Sequence, residues 1–76
     1  MTAIQGYSLI IASDVSEERD GIGLELYSGK ELVLEIFRDD RRRDTTMSIY
    51  RESLPLEVVE KCIMAFKKEI PNSYQD

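Results

Sequence analysis

The hydrophobic positions of this chain change period once. Before Pro55 they fall in short runs or alternate with polar residues, and after it they recur at Leu56, Val59, Ile63, Phe66 and Ile70, the spacing of one helix face. The apolar run Leu9-Ile10-Ile11-Ala12 predicts a first strand over residues 7–12. Ile22, Leu24 and Leu26 alternate with Gly23, Glu25 and Tyr27, and Leu32, Leu34 and Ile36 alternate with Val33, Glu35 and Phe37, which predicts strands over 22–27 and 31–38. A fourth, over 45–51, carries Met47 and Ile49 in phase with Ile36 and Leu34.

The connections are as informative as the strands. Ser13 to Asp20 is polar and ends in Asp20-Gly21, an acidic loop closing on a turn. A two-residue turn at Ser28-Gly29 would put the two leucine sets on opposite faces, so strand parity demands an odd loop. Tyr27-Ser28-Gly29 is the expected one, with Gly29 in the left-handed position of a bulged hairpin. The mixed charges of Asp39 to Asp44 predict the next hairpin turn. Ser53 is the expected cap of the helix and Pro55 suits its first turn. Lys67 and Lys68 complement the dipole of its last turn, and Pro71 stops it, giving a helix over 54–70 and a short polar tail, Asn72 to Asp76.

The expected architecture is therefore α+β, a single domain over 1–76, with a four-stranded antiparallel meander sheet and one C-terminal helix packed on one face. A helix is about 10 Å across and strands lie about 4.8 Å apart, so one helix leaves the second face of the sheet open. Parity assigns Glu25, Tyr27, Val33, Glu35, Phe37, Ser48 and Tyr50 to that open face. Aromatic rings offer contact area with few rotors to freeze, and neighbouring carboxylates attract Lys or Arg. The candidate partner-binding residues are thus Glu25, Tyr27, Glu35, Phe37 and Tyr50, joined by Glu17 and Glu18 of the acidic loop.

Composition narrows the function classes. A chain of 76 residues has a thin core, yet 42 % hydrophobic and 33 % charged residues match a globular domain rather than a disordered tail. No apolar run approaches the length of a membrane span, and the N-terminal residues lack a secretory pattern, so a cytoplasmic location is expected. The formal charge of −5 opposes non-specific binding to nucleic acid or anionic lipid and favours solubility or a basic partner.

Candidate catalytic and metal-binding groups are sparse. The chain has no histidine, the usual general base and the commonest metal ligand. Asp39, Asp40 and Asp44 invite a magnesium reading, but Arg38 and Arg41 to Arg43 would pair with them and repel a cation. Asp14, Glu17, Glu18 and Asp20 lack the alternate-position spacing and closing glutamate of a calcium loop. Cys62, on the flank of the expected helix face, has no partner base and reads as a small core residue. No catalytic residue, cofactor or metal is expected.

The stretch Gly23 to Pro71 contains Leu34-Glu35-Ile36-Phe37-Arg38-Asp39-Asp40, Leu54-Pro55-Leu56-Glu57 and Phe66-Lys67-Lys68-Glu69-Ile70-Pro71. In these it resembles small bacterial immunity proteins, the cytoplasmic partners of toxins. That resemblance implies a compact, acidic, non-enzymatic inhibitor that blocks a cognate toxin by binding at or near its active site, and with the acidic charge the expected partner is a basic toxin or nuclease domain. The family shares no defining motif, so it assigns no binding residue. The competing expectation is a homo-oligomeric structural or adaptor module, with a homodimer formed through the open sheet face.

Overall fold

The computed structural model describes residues 4–70. Four strands, β1 (Ser8–Val15), β2 (Asp20–Ser28), β3 (Glu31–Asp39) and β4 (Asp44–Ile49), precede one helix, α1 (Leu56–Glu69). The strands pair antiparallel in the order β1-β2-β3-β4, which is the expected α+β meander. Asn72 to Asp76 and Pro71 lie outside the described residues.

The leucine sets do share a face, but by a different device from an odd loop. Ser28 pairs with Glu31 around a two-residue turn, Gly29-Lys30, in which Gly29 has φ 62°; a left-handed first position is the mark of the hairpin turns that match strand twist. The parity shift comes from a bulge inside the hairpin, where Leu26 pairs with Leu34 but Tyr27 pairs with Leu32. The extra residue, Val33, turns into the core and is fully buried. Leu32 and Val33 therefore exchange the faces that simple alternation assigns them.

On the helix side, Leu24, Leu26, Val33, Leu34 and Ile36 pack with Val58, Cys62, Ala65, Phe66 and Ile70, and Ile4 joins them from the segment before β1. The helix is rolled relative to its expected stripe. Val58 and Cys62 face the sheet, whereas Leu56 is 73 % exposed and Val59 and Ile63 lie at the margin. Cys62 is thus central rather than flanking. Small side chains at Cys62 and Ala65 let the helix axis approach the sheet, which favours this roll over one that buries Leu56.

The helix approaches β2 most closely, so β4 lies beyond its edge. Met47 and Ile49 sit on the predicted face, in register with Ile36 and Leu34, yet are 44 % and 45 % exposed. The helix N-terminus also differs from expectation. Pro55 is the cap residue, with no side-chain cap bond, and its carbonyl accepts from the Val58 and Val59 amides at 3.0 and 3.3 Å. Lys67 and Lys68 occupy the last turn as expected, and Ile70 turns extended, the conformation a following proline imposes.

Every residue of β3 from Val33 to Asp39 is buried, although the helix covers only one side. Something else covers the second face.

Candidate protein-interaction face

Strand register builds that second face in rows. From one end to the other these are Asp14-Gly21-Asp39-Asp44, Ala12-Gly23-Phe37-Thr46, Ile10-Glu25-Glu35-Ser48 and Ser8-Tyr27-Leu32. Glu25 and Glu35 face each other directly, an unfavourable placement for like charges unless each finds a partner. Both do, and in different ways.

Glu35 is met by Arg19, which reaches over the sheet from the β1–β2 loop. Its Nη1 and Nη2 donate to Glu35 Oε1 and Oε2 at 3.1 and 2.8 Å, and its Nε donates to Asp14 Oδ2 at 2.7 Å. The guanidinium carbon lies 3.9 Å from the Phe37 ring centroid. The bidentate bond to Glu35, followed by the bond to Asp14, raises the Arg19 pKa above its ordinary value, so the group is a permanent cation. It leaves Glu35 and Phe37 only 7 % and 5 % exposed.

Glu25 takes a local partner instead. The Tyr27 hydroxyl donates to Glu25 Oε1 at 2.9 Å, and this bond to a carboxylate raises the tyrosine pKa, with desolvation as the second cause. Both side chains are half-buried.

The loop that delivers Arg19 is shaped by Ser16, whose amide donates to the Arg19 carbonyl at 2.8 Å and whose hydroxyl oxygen accepts from the Arg19 amide at 3.2 Å. Arg41, from the β3–β4 turn, fastens it by donating to the Glu17 and Ser16 carbonyls at 2.8 and 2.9 Å. Asp39 Oδ1 in turn accepts from the Arg41 and Arg42 amides at 3.0 and 3.1 Å, which shapes a turn whose last residue, Arg43, has φ 56°. Arg38 pairs with Asp40, with Nε 3.0 Å from Oδ1 as a charge contact lacking hydrogen-bond alignment and Nη2 donating to Oδ2 at 3.4 Å. Of the expected arginine–aspartate pairs, Arg38–Asp40 is seen; Asp39 is held by backbone amides and the Arg41 side chain turns to the loop carbonyls instead. Among the described residues no group of three or more His, Cys, Asp or Glu side chains is placed to hold a metal ion.

Beside Arg19 lies an open cleft of about 320 Å³ lined by Glu18, Arg19, Phe37, Asp39, Arg42, Asp44 and Thr46. On the helix side of the sheet, Ile36, Met47, Ile63 and Phe66 line an apolar groove of about 310 Å³ between α1 and β4.

The predicted binding residues therefore separate. Glu17 and Glu18 are exposed on the loop, Glu25 and Tyr27 are partly accessible, and Tyr50, just beyond β4, is 54 % exposed with its amide donating to the Val33 carbonyl at 2.9 Å. Glu35 and Phe37 are buried beneath Arg19, and Val33 is in the core, so neither the aromatic centre nor the full width of the face is open. Sequence reasoning missed Arg19, Asp14 and the exposed Ile10. One signal for the first was present, since Arg19 is the only cation in a loop whose sheet face carries Asp14 and Glu35.

No helix among the described residues is long and apolar enough to cross a membrane. Comparison of the chain with family models, with curated proteins and with solved structures finds no match.

Proposed function

We propose that this chain is a small, acidic, non-catalytic protein-binding module, most concretely an immunity-type inhibitor that neutralises a basic toxin partner by direct contact. One observation carries the reading. Outside the Arg19 cover, the sheet face keeps Ile10 and the adjoining Tyr27-Glu25 pair accessible, with no element among the described residues laid over them. Exposed Tyr50 and the carboxylates of Glu17 and Glu18 add anchor and charge. Carboxylates steer a cationic partner to the encounter, while a tyrosine and an isoleucine supply the desolvated contact that slows release. The Cys62 thiol supports a non-catalytic role, because it is fully buried and burial pushes its pKa up to about 11, the state of an inert thiol.

The test is capture of a partner by the tagged chain from its native extract at low and moderate salt, repeated with Ile10→Ala and Tyr50→Ala. A single stoichiometric basic protein, weakened by salt and lost with either variant, is the expected result. Absence of any such protein, or its equal retention by both variants, overturns the proposal.

A second reading, self-association, is favoured by one observation of its own, and at a different place from the open face. The edge strand β4 leaves Met47 and Ile49 uncovered beside the groove formed with Ile63 and Phe66, and β4 carries neither lysine nor proline between Thr45 and Ile49, the residues that commonly protect a sheet edge. A dimer mass in light scattering that Met47→Lys abolishes would support it.

A further inference from the structure

The Arg19 guanidinium is bound as an arginine from another protein would be bound. It has a two-pronged carboxylate in Glu35, a second carboxylate in Asp14 and an aromatic face in Phe37, the set of contacts that recognises a planar cation. Glu35 and Phe37 stand on the inner strand β3 and Asp14 on β1, so the seat is built into the sheet. What occupies it comes from an irregular loop in which Ser16, Glu17 and Glu18 are exposed, fastened from outside chiefly by the exposed hydrogen bonds of Arg41.

The adjoining cleft supplies an independent observation. Asp39 lines it and is 5 % exposed, with Oδ1 held by the Arg41 and Arg42 amides. Asp44, paired across the strands with Asp39, and Glu18 complete an acidic wall. Three carboxylates thus share the cleft with the Phe37 ring, against Arg42 and Arg19 itself as its cations.

We propose that Asp14, Glu35 and Phe37 form a guanidinium receptor in which Arg19 is an internal placeholder, and that an arginine of a basic protein partner enters through the adjoining cleft and takes its place. Exchange of one guanidinium for another preserves every type of contact, so the intrinsic cost is small. The tether gives Arg19 an effective concentration on the order of millimolar, and the incoming arginine needs further contacts, such as Ile10 and Tyr50, to prevail. Fractional availability of the seat lowers apparent affinity by that fraction. Removing Arg19 therefore strengthens binding of an arginine ligand, whereas a merely structural Arg19 would weaken or spare it when lost.

This inference deepens the protein-binding reading and rests on it for the partner, but its test does not. L-argininamide, with L-lysinamide as control, is titrated into the folded chain while the amide resonances of Gly23, Glu35 and Phe37 are followed. Arg19→Ala is expected to bind argininamide at least about tenfold more tightly than the native chain, with lysinamide much weaker, by the same availability argument. Should loss of Arg19 unfold the domain, refolding by argininamide and not by lysinamide is the expected readout. Arg41→Ala, which frees the loop and leaves the seat intact, is expected to bind about threefold more tightly than the native chain on the same grounds. No saturable argininamide response in Arg19→Ala, equal response to lysinamide, or an Arg41→Ala affinity equal to the native value overturns the proposal. Such a failure would leave salt-sensitive capture of a basic partner untouched.

Discussion

Gly23 lies directly beneath Phe37. The two pair across β2 and β3, and a Cβ added at Gly23 would stand 2.8 Å from Phe37 Cδ1 and 2.8 Å from the Ile36 carbonyl oxygen. The missing side chain lets the ring lie flat on the sheet, and the flat ring is the floor on which the Arg19 guanidinium rests. Gly23→Ala is expected to cost roughly 1–3 kcal/mol, the usual range for overpacking, and to lift the ring. Gly21→Ala should cost more, because its Cβ would fall on the Arg38 backbone carbonyl oxygen, far closer than either contact at Gly23. Urea unfolding of both variants checks the order; a neutral Gly21→Ala would contradict this packing.

Arg19 and Glu35 are expected to be energetically coupled. Arg19 is one-third exposed and Glu35 is nearly buried, so the pair is partly screened. A double-mutant cycle with Arg19→Ala and Glu35→Gln should give a coupling of about 1–2 kcal/mol, above the value usual for exposed pairs. A coupling below about 0.5 kcal/mol would place the pair among ordinary surface contacts.

The buried thiol gives a pH signature. Cys62 ionises near 9.0 in an unfolded chain and near about 11 when desolvated in the core. Above the lower value the unfolded state releases a proton that the folded state keeps, so this contribution is intact below pH 9 and is lost as pH rises toward 11. Its size is on the order of 2–3 kcal/mol from the linkage of pKa to stability. Unfolding free energies at about pH 8 and about pH 10.5 should fall further for the native chain than for Cys62→Ala, in which all other alkaline titrations are shared. Parallel declines would show that the thiol is not desolvated.

The roll of the helix can be tested with two substitutions. Val58→Ala is expected to lose roughly 1–3 kcal/mol through lost burial and a cavity. Leu56→Ala, at an exposed position, should stay within about 0.5 kcal/mol of the native chain. Thermal or urea unfolding decides between this roll and the one in which Leu56 faces the sheet.

Strand order and the helix were legible because each depends on a period. Leu24 and Leu26, Leu34 and Ile36 share a face whatever the details of their turn, and the switch to helical spacing after Pro55 is unambiguous. Parity also revealed that an extra residue was needed in the hairpin. It could not locate that residue, because Val33 in a bulge and Ser28 in a longer turn satisfy the same count. The helix roll was harder to read, since Val58, Cys62 and Ala65 form an apolar stripe next to Leu56, Val59 and Ile63, and bulk favoured the wrong one. Least legible was the state of the second face. Arg19 projects from an irregular loop, and the reach of a long side chain leaves no periodic trace, so Glu35 and Phe37 looked open when they are covered.

The bulge at Val33 also separates two properties that are normally locked together in a sheet. Strand pairing is fixed on its far side by Leu26 with Leu34 and on its near side by Tyr27 with Leu32, and Val33 belongs to neither pair. A chain shorter by that one residue could keep every other cross-strand partnership of this hairpin, at the expense of the packing Val33 provides. The hairpin thus has a joint where a single-residue deletion need not propagate as a frame slip, and where related chains could differ in length while still superimposing from end to end.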